Sequence, residues 1–200
     1  LPLWRRHIGF VVDYTTGVAT KDKAKQDKAV SDLLGYTQDL GAFLSSANPY
    51  LPKDVVAGLV KTHILTLKDV IDAQASGDFP KAYTAARTAY SHMQMIGDPL
   101  ASAIVKQFPD RFAGSPDSPA SSLRNTLNMG LREHVILAAM ATGSALGGRE
   151  AEFKAAAGAV DGNSIDISKA IGMAYGPDAE KAFLPLWRRH IGFVVDYTTG

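Results

Sequence analysis

Residues 184–200 read LPLWRRHIGFVVDYTTG, and residues 1–17 read the same without a mismatch. An offset of 183 residues (184 − 1) over seventeen identical positions does not arise by chance. It has two explanations, a duplicated end in an engineered chain or a window onto an array with a 183-residue period. Self-similarity at a fixed period is the mark of repeat architectures, and the array is the favoured reading. The same stretch decides the fold class. Phe183, Leu186, Trp187, His190, Phe193, Val194 and Tyr197 recur at spacings of three and four, which traces an apolar stripe along a helix. Leu3, Trp4, His7 and Phe10 hold the matching places in the first copy. Val56, Leu59, Val60, His63, Leu67 and Val70 follow the same rule.

A weaker repeat lies inside the long one. LWRRHIGFVVDY from Leu186, LVKTHILTLKDV from Leu59 and LREHVILAAMA from Leu131 each place a histidine three or four residues after a leucine and continue apolar. The spacing from His134 to His190 is 56 residues (190 − 134), and the array places the next equivalent of His63 another 56 on. The 183-residue unit therefore divides into three related segments, one with a loop insertion. Residues 1–183 are expected to form one repeat of three related helical hairpins, and 184–200 the first helix of the next.

Outward from that stretch the pattern stays helical. Alanine is abundant, and breaks fall at Asn48–Pro49, Gly77, Gly114–Ser115–Pro116 and Gly147–Gly148. Thr20, Asp78, Ser118–Pro119 and Gly176–Pro177–Asp178 carry helix-start chemistry. Helices are expected at about 3–17, 21–47, 53–75, 79–108, 119–146, 149–174 and 178–199. The expected fold is all-α: antiparallel hairpins stacked as a bundle or solenoid, about six helices per repeat. The first copy lacks the lead-in PDAEKAF that precedes the second. That places the repeat boundary inside a helix, so neighbouring units would share or exchange helices, by a continuous rod or by domain swapping.

Composition narrows the chemistry. The net charge is +1, which gives no electrostatic case for nucleic acid. No stretch carries the apolar residues of a membrane span. The absence of cysteine removes disulfides, thiolate catalysis and sulfur-ligated metal centres. No signal peptide is visible.

The histidines are the candidate site. His63 and His92 flank the break near Gly77 and should meet at one level of a hairpin; His7 should face Tyr36, and His134 should face Asn163 and Ser164. A buried polar rung that sets register is the favoured reading. Metal or haem ligation by His63, His92, His134 and His190, with Met93 and Met95 as soft ligands, is the alternative. The ferritin-like Glu-x-x-His pair and the CxxCH haem attachment are both absent. The Asp that follows His7, His63, His92 and His190 by six residues lies on another helix face and reads as solvated. Asp161–Asp166 has a calcium-loop look but lacks ligands at its fifth and twelfth positions, so it reads as a helix interruption. Arg188–Arg189 could grip an anion, although a snorkelling pair beside Trp187 explains them. Lys21, Lys23, Lys25 and Lys28 alternate with Asp22 and Asp27 as a solvated face. The stretch from Ser115 to Ser122 reads as the one long flexible loop.

No residue set states a reaction, so no enzyme and no cofactor is expected. In exact-copy periodicity and lack of cysteine the chain resembles secreted bacterial surface proteins built from near-identical tandem helical repeats. That resemblance implies an extracellular or cell-surface location and self-association, and it carries over no functional residue. The expected function is a structural repeat unit of a stalk or fibre, partnered by neighbouring units or identical subunits. The expected assembly interface is Leu186, Trp187, His190, Phe193, Val194 and Tyr197 with Leu3, Trp4, His7 and Phe10. The alternative is a helical-bundle binder of a metal, haem or apolar ligand.

Overall fold

The computed structural model describes residues 2–200, apart from the Thr199 side chain; Leu1, the first residue of the repeat, lies outside. These residues are all-α: α1 (Pro2–Ala19), α2 (Lys23–Ala47), α3 (Lys53–Ser76), α4 (Phe79–Gln107), α5 (Pro119–Leu146), α6 (Glu150–Tyr175) and α7 (Pro177–Thr199). The breaks fall where glycine and proline place them. Gly77 takes φ 74°, and the Asp78 and Gly77 amides close α3 by bonding Ala73 O and Gln74 O. That left-handed closure is what a Cβ-free residue permits. Ser118 caps α5 by accepting from the Ser121 amide.

Two local expectations are corrected. Thr20 does not cap α2. Its hydroxyl donates to Thr16 O and so belongs to the end of α1; Lys21 turns the chain at φ 58°, and Asp22 then accepts from the Lys25 amide at 2.9 Å. The reversal needs one left-handed residue between the helices, which moves the cap two positions on. Nor does α6 break at Asp161–Asp166. It runs unbroken from Glu150 to Tyr175, because Asn163 and Ser164 are turned inward and bonded: Asn163 Nδ2 to Gly130 O at 2.9 Å, Ser164 Oγ to Val160 O at 2.7 Å.

The chain divides into two compact units. Unit 1 is Leu1–Asp78 with Thr88–Asp117, and unit 2 is Phe79–Arg87 with Ser118–Gly200. In unit 1, α1 packs on α2 and α3, and α2 packs on α3. Its core joins Leu33, Tyr36, Leu51, Val56, Val60 and Ile64 to Ala103 of α4. The α2–α3 approach is close: a Cβ on Gly41 would meet Lys53 O at 2.6 Å. In unit 2, α5 packs on α6, α6 on α7 and α5 on α7, around Tyr83, Leu137, Ala141, Ala156 and Val160. The loop 108–118 of unit 1 is tied back by Ser102 Oγ donating to Asp117, and α5 begins directly after it.

The units share a register. His7 on α1, Tyr36 on α2 and His63 on α3 recur 127 residues later as His134 on α5, Asn163 on α6 and His190 on α7 (134 − 7, 163 − 36, 190 − 63). Helix α7 therefore holds in unit 2 the place of α3 in unit 1, although its sequence is that of α1.

Candidate assembly surface

The histidine level of each unit is an aromatic layer. In unit 1 the His7 ring stacks on Tyr36 with centroids 5.0 Å apart and lies 6.0 Å from His63. His63 thus meets His7 of α1, while His92 bonds Leu59 O at 2.9 Å, about one turn before His63. In unit 2 the His134 ring lies 5.0 Å from Trp187 and 5.8 Å from His190. The His7, His63 and His134 Nδ1 atoms are buried without a hydrogen-bond partner. Burial holds His7, His63 and His134 below the ordinary histidine pKa, with a smaller push from neighbouring histidines on His63 and His134.

Below that layer, unit 2 carries a network that the sequence reading missed. Arg87 reaches both Glu133 oxygens, at 3.0 and 3.2 Å, and Asp166 at 2.8 Å. Asn163 Nδ2 donates to Glu133 at 2.7 Å. Glu133 is buried with its partners in place, as a buried carboxylate requires. The pairing of Arg87 with residues 46 and 79 positions away has no local signature that a sequence reading could use.

The two copies of LPLWRRHIGFVVDYTTG sit in opposite surroundings. In α1, His7 and Tyr14 are buried at 5% and 4% exposure, and Leu3, Phe10 and Val11 pack on the unit 1 core. Their counterparts on α7, Leu186, His190, Phe193 and Tyr197, are exposed, Tyr197 at 92%. The other face reverses this. Trp4, Ile8 and Val12 of α1 are about half exposed, whereas Trp187, Ile191 and Val195 of α7 are partly buried, Ile191 against the unit 2 core. At 100° per residue the two faces are centred roughly 120° apart around the helix. The stripe expected as one face is two. The spacing of Trp4, Ile8 and Val12 was a legible second signal.

Polar partners divide in the same way. On α1, Arg6 pairs with Asp39 at 3.2 Å, Asp13 with Lys25 at 3.4 Å, and Tyr14 Oη donates to Asp72 at 2.7 Å. All three partners are on α2 or α3. On α7, Arg188 forms a two-pronged pair with Asp161 of α6, at 2.6 and 2.9 Å, rather than snorkelling freely. Its counterpart Arg5 has no ion pair among the described residues, and neither do Arg189 and Asp196, the counterparts of Arg6 and Asp13. Each copy has satisfied the half of its side chains that the other leaves open.

The solvated basic face appears as expected, with Lys23 paired to Asp27 and Lys28 to Asp32 at 2.6 Å. Met93 and Met95 are exposed beside the buried His92. No group of three or more histidine or carboxylate side chains is close enough to hold a metal ion among the described residues. A crevice between His134 and His190 encloses about 60 Å³. That is room for a few waters, against the roughly 300–1,000 Å³ of a small-molecule site. No helix is long and apolar enough to cross a membrane among the described residues. The chain matches no protein-family model, and no curated protein or solved structure is significantly similar to it.

Proposed function

We propose that the chain is a structural repeat unit, and that its repeated helix is the joint between successive units of a stalk or fibre on the outside of a bacterial cell. One observation carries this reading. The same seventeen residues bury one apolar face in α1 and the adjacent face in α7. A helix with two apolar faces needs neighbours on two sides, and each copy here has neighbours on one. A single helix that closes one unit and opens the next buries both faces at once. The outward half of each copy then stops being an exposed apolar patch of the kind that marks an interaction surface. Stacked helical units that bury a continuous core between neighbours are how solenoids gain stability with length.

A chain carrying residues 1–183 twice in succession, followed by 184–200, tests the reading. Small-angle scattering should give one elongated particle, longer than the single unit by a fixed step, and the central joint should unfold together with its flanking units. Two units that tumble and melt independently, as beads on a string, would refute it. The location is tested by adding protease to intact producing cells, which should cleave the protein without lysis.

A further inference from the structure

The open face of α7 already has a known complement, because α1 presents that face to α2 and α3. We infer that the α2–α3 pair of a second copy of this chain is the seat for α7, which enters in place of that copy's own α1. The inference rests on the reading above and names its partner.

The match extends past apolar shape. Every polar group that α7 leaves unpaired on this face has its complement on α2 or α3. Arg189 would meet Asp39 of the second copy, Asp196 would meet Lys25, and the Tyr197 hydroxyl would meet Asp72, since Arg6, Asp13 and Tyr14 make these contacts now. His190 would stack on Tyr36 as His7 does. Gly200 would repeat the close approach of Gly17, where an added Cβ would lie 3.0 Å from the Gln26 backbone nitrogen. An apolar partner of unrelated sequence would leave Arg189 and Asp196 unpaired, so the complementarity selects another copy of this chain.

The exchange is nearly balanced in buried area. One copy of the segment leaves the seat and an identical one takes it. What decides occupancy is tethering. The α1 segment is held by a three-residue connection to α2, and a short tether confers an effective concentration on the order of millimolar. At micromolar protein α1 keeps its seat and the chain stays monomeric through this surface. Evicting α1 without touching α7 should release head-to-tail assembly.

The variant Phe10→Asp/Tyr14→Asp places two carboxylates in the seat and evicts α1. At tens of micromolar it should form a ladder of oligomers in sedimentation velocity, where the unaltered chain sediments as a monomer. Adding Phe193→Asp/Tyr197→Asp to the same chain should return it to monomer. An excess of the free peptide LPLWRRHIGFVVDYTTG should dissolve the ladder by filling the seat. That arm separates exchange from aggregation of a misfolded unit 1, because aggregates do not dissolve. A fluorescent form of the peptide should bind the evicted variant saturably, one per chain, and at least tenfold more tightly than it binds the unaltered chain.

A strictly monomeric evicted variant would overturn the inference. So would oligomers that persist in the four-substitution chain or in excess peptide, or a peptide that fails to bind. A rod-like two-unit chain together with a monomeric evicted variant would remove the exchange between chains and leave the proposed function standing. A beads-on-a-string two-unit chain would remove the proposed function itself.

Discussion

Helices α1 and α7 contain the same seventeen residues and have different insides. In α1, Tyr14 lies under α3, bonded to Asp72, with the Lys68 ammonium 5.4 Å from its ring centre. In α7 the same tyrosine, Tyr197, is 92% exposed. Trp4 is exposed, whereas its twin Trp187 is partly buried and stacks on Phe183. Even the proline differs in consequence. Pro2 opens α1, where its missing amide proton would have had no partner, while Pro185 lies inside α7 and removes the bond to Lys181 O. Helix formation is a property of the segment, and the identity of its core face is a property of its neighbours. A stripe wide enough to serve two neighbours is the physical content of a repeat joint.

Identical substitutions in identical sequence give unusually direct ways to break this comparison. The largest expected difference is at the tyrosine. Tyr14→Ala should cost about 3 kcal/mol in urea unfolding, from lost aromatic burial and a stranded Asp72. Tyr197→Ala in the monomer should fall within about 0.5 kcal/mol of the unaltered chain. Equal costs would mean that α7 is packed on both sides in the isolated chain.

The tryptophans should invert the order. Trp187→Ala should cost about 2 kcal/mol and Trp4→Ala under about 1 kcal/mol, because the partly buried ring now belongs to α7. Intrinsic fluorescence of the two single-tryptophan chains offers an independent check, with Trp187 emitting to the blue of Trp4.

Acid sharpens the contrast between the units. His7, His63 and His134 have folded pKa values below their unfolded value of about 6.5, so the unfolded chain binds more protons in that interval. Their contribution to stability is present above pH 6.5 and is lost as pH falls from there through the folded values. The slope is at most about 1.4 kcal/mol per pH unit for each histidine. Unit 1 holds two such groups and unit 2 one, so unit 1 should lose stability first on acidification below pH 6.5. His7→Gln with His63→Gln should flatten the dependence of unit 1, as read by urea midpoints between pH 7.5 and 5. A dependence unchanged by the pair of substitutions would assign it to other groups.

The smallest effect is at the surface arginines. Arg6→Ala removes the exposed pair with Asp39 and should cost about 0.5 kcal/mol, reduced by salt. Arg189→Ala should leave the stability of the monomer unchanged, and weaken only the assembly of the α1-evicted variant.

Much of the fold was legible because helix ends are written locally. Gly77, Ser118–Pro119 and Gly147–Gly148 stop or start helices through backbone freedom and capping that depend on a few adjacent residues. The Thr20 assignment failed at that same scale, since a left-handed Lys21 has no sequence mark. The interior of α6 was misread for the opposite reason. Asp161–Gly162–Asn163–Ser164 looks like a break on propensity, and it is helix because Gly130 O, Glu133 and Val160 O satisfy Asn163 and Ser164 from within the core. The histidine levels were partly readable: His7 does lie on Tyr36, but His63 turns to α1, since packing of three helices can pair first with third.

By itself the sequence determined that the chain is helical, where its helices begin and end to within a few residues, and that one segment is used twice. Those properties follow from hydrogen bonds and capping within four residues of each other. Only the tertiary structure decided which face of the repeated segment is core, that Arg87 closes on Glu133 and Asp166, and that α7 stands where α3 stands in the first unit. A helix presents all its faces at once, and burial is a relation to neighbours that the segment does not encode.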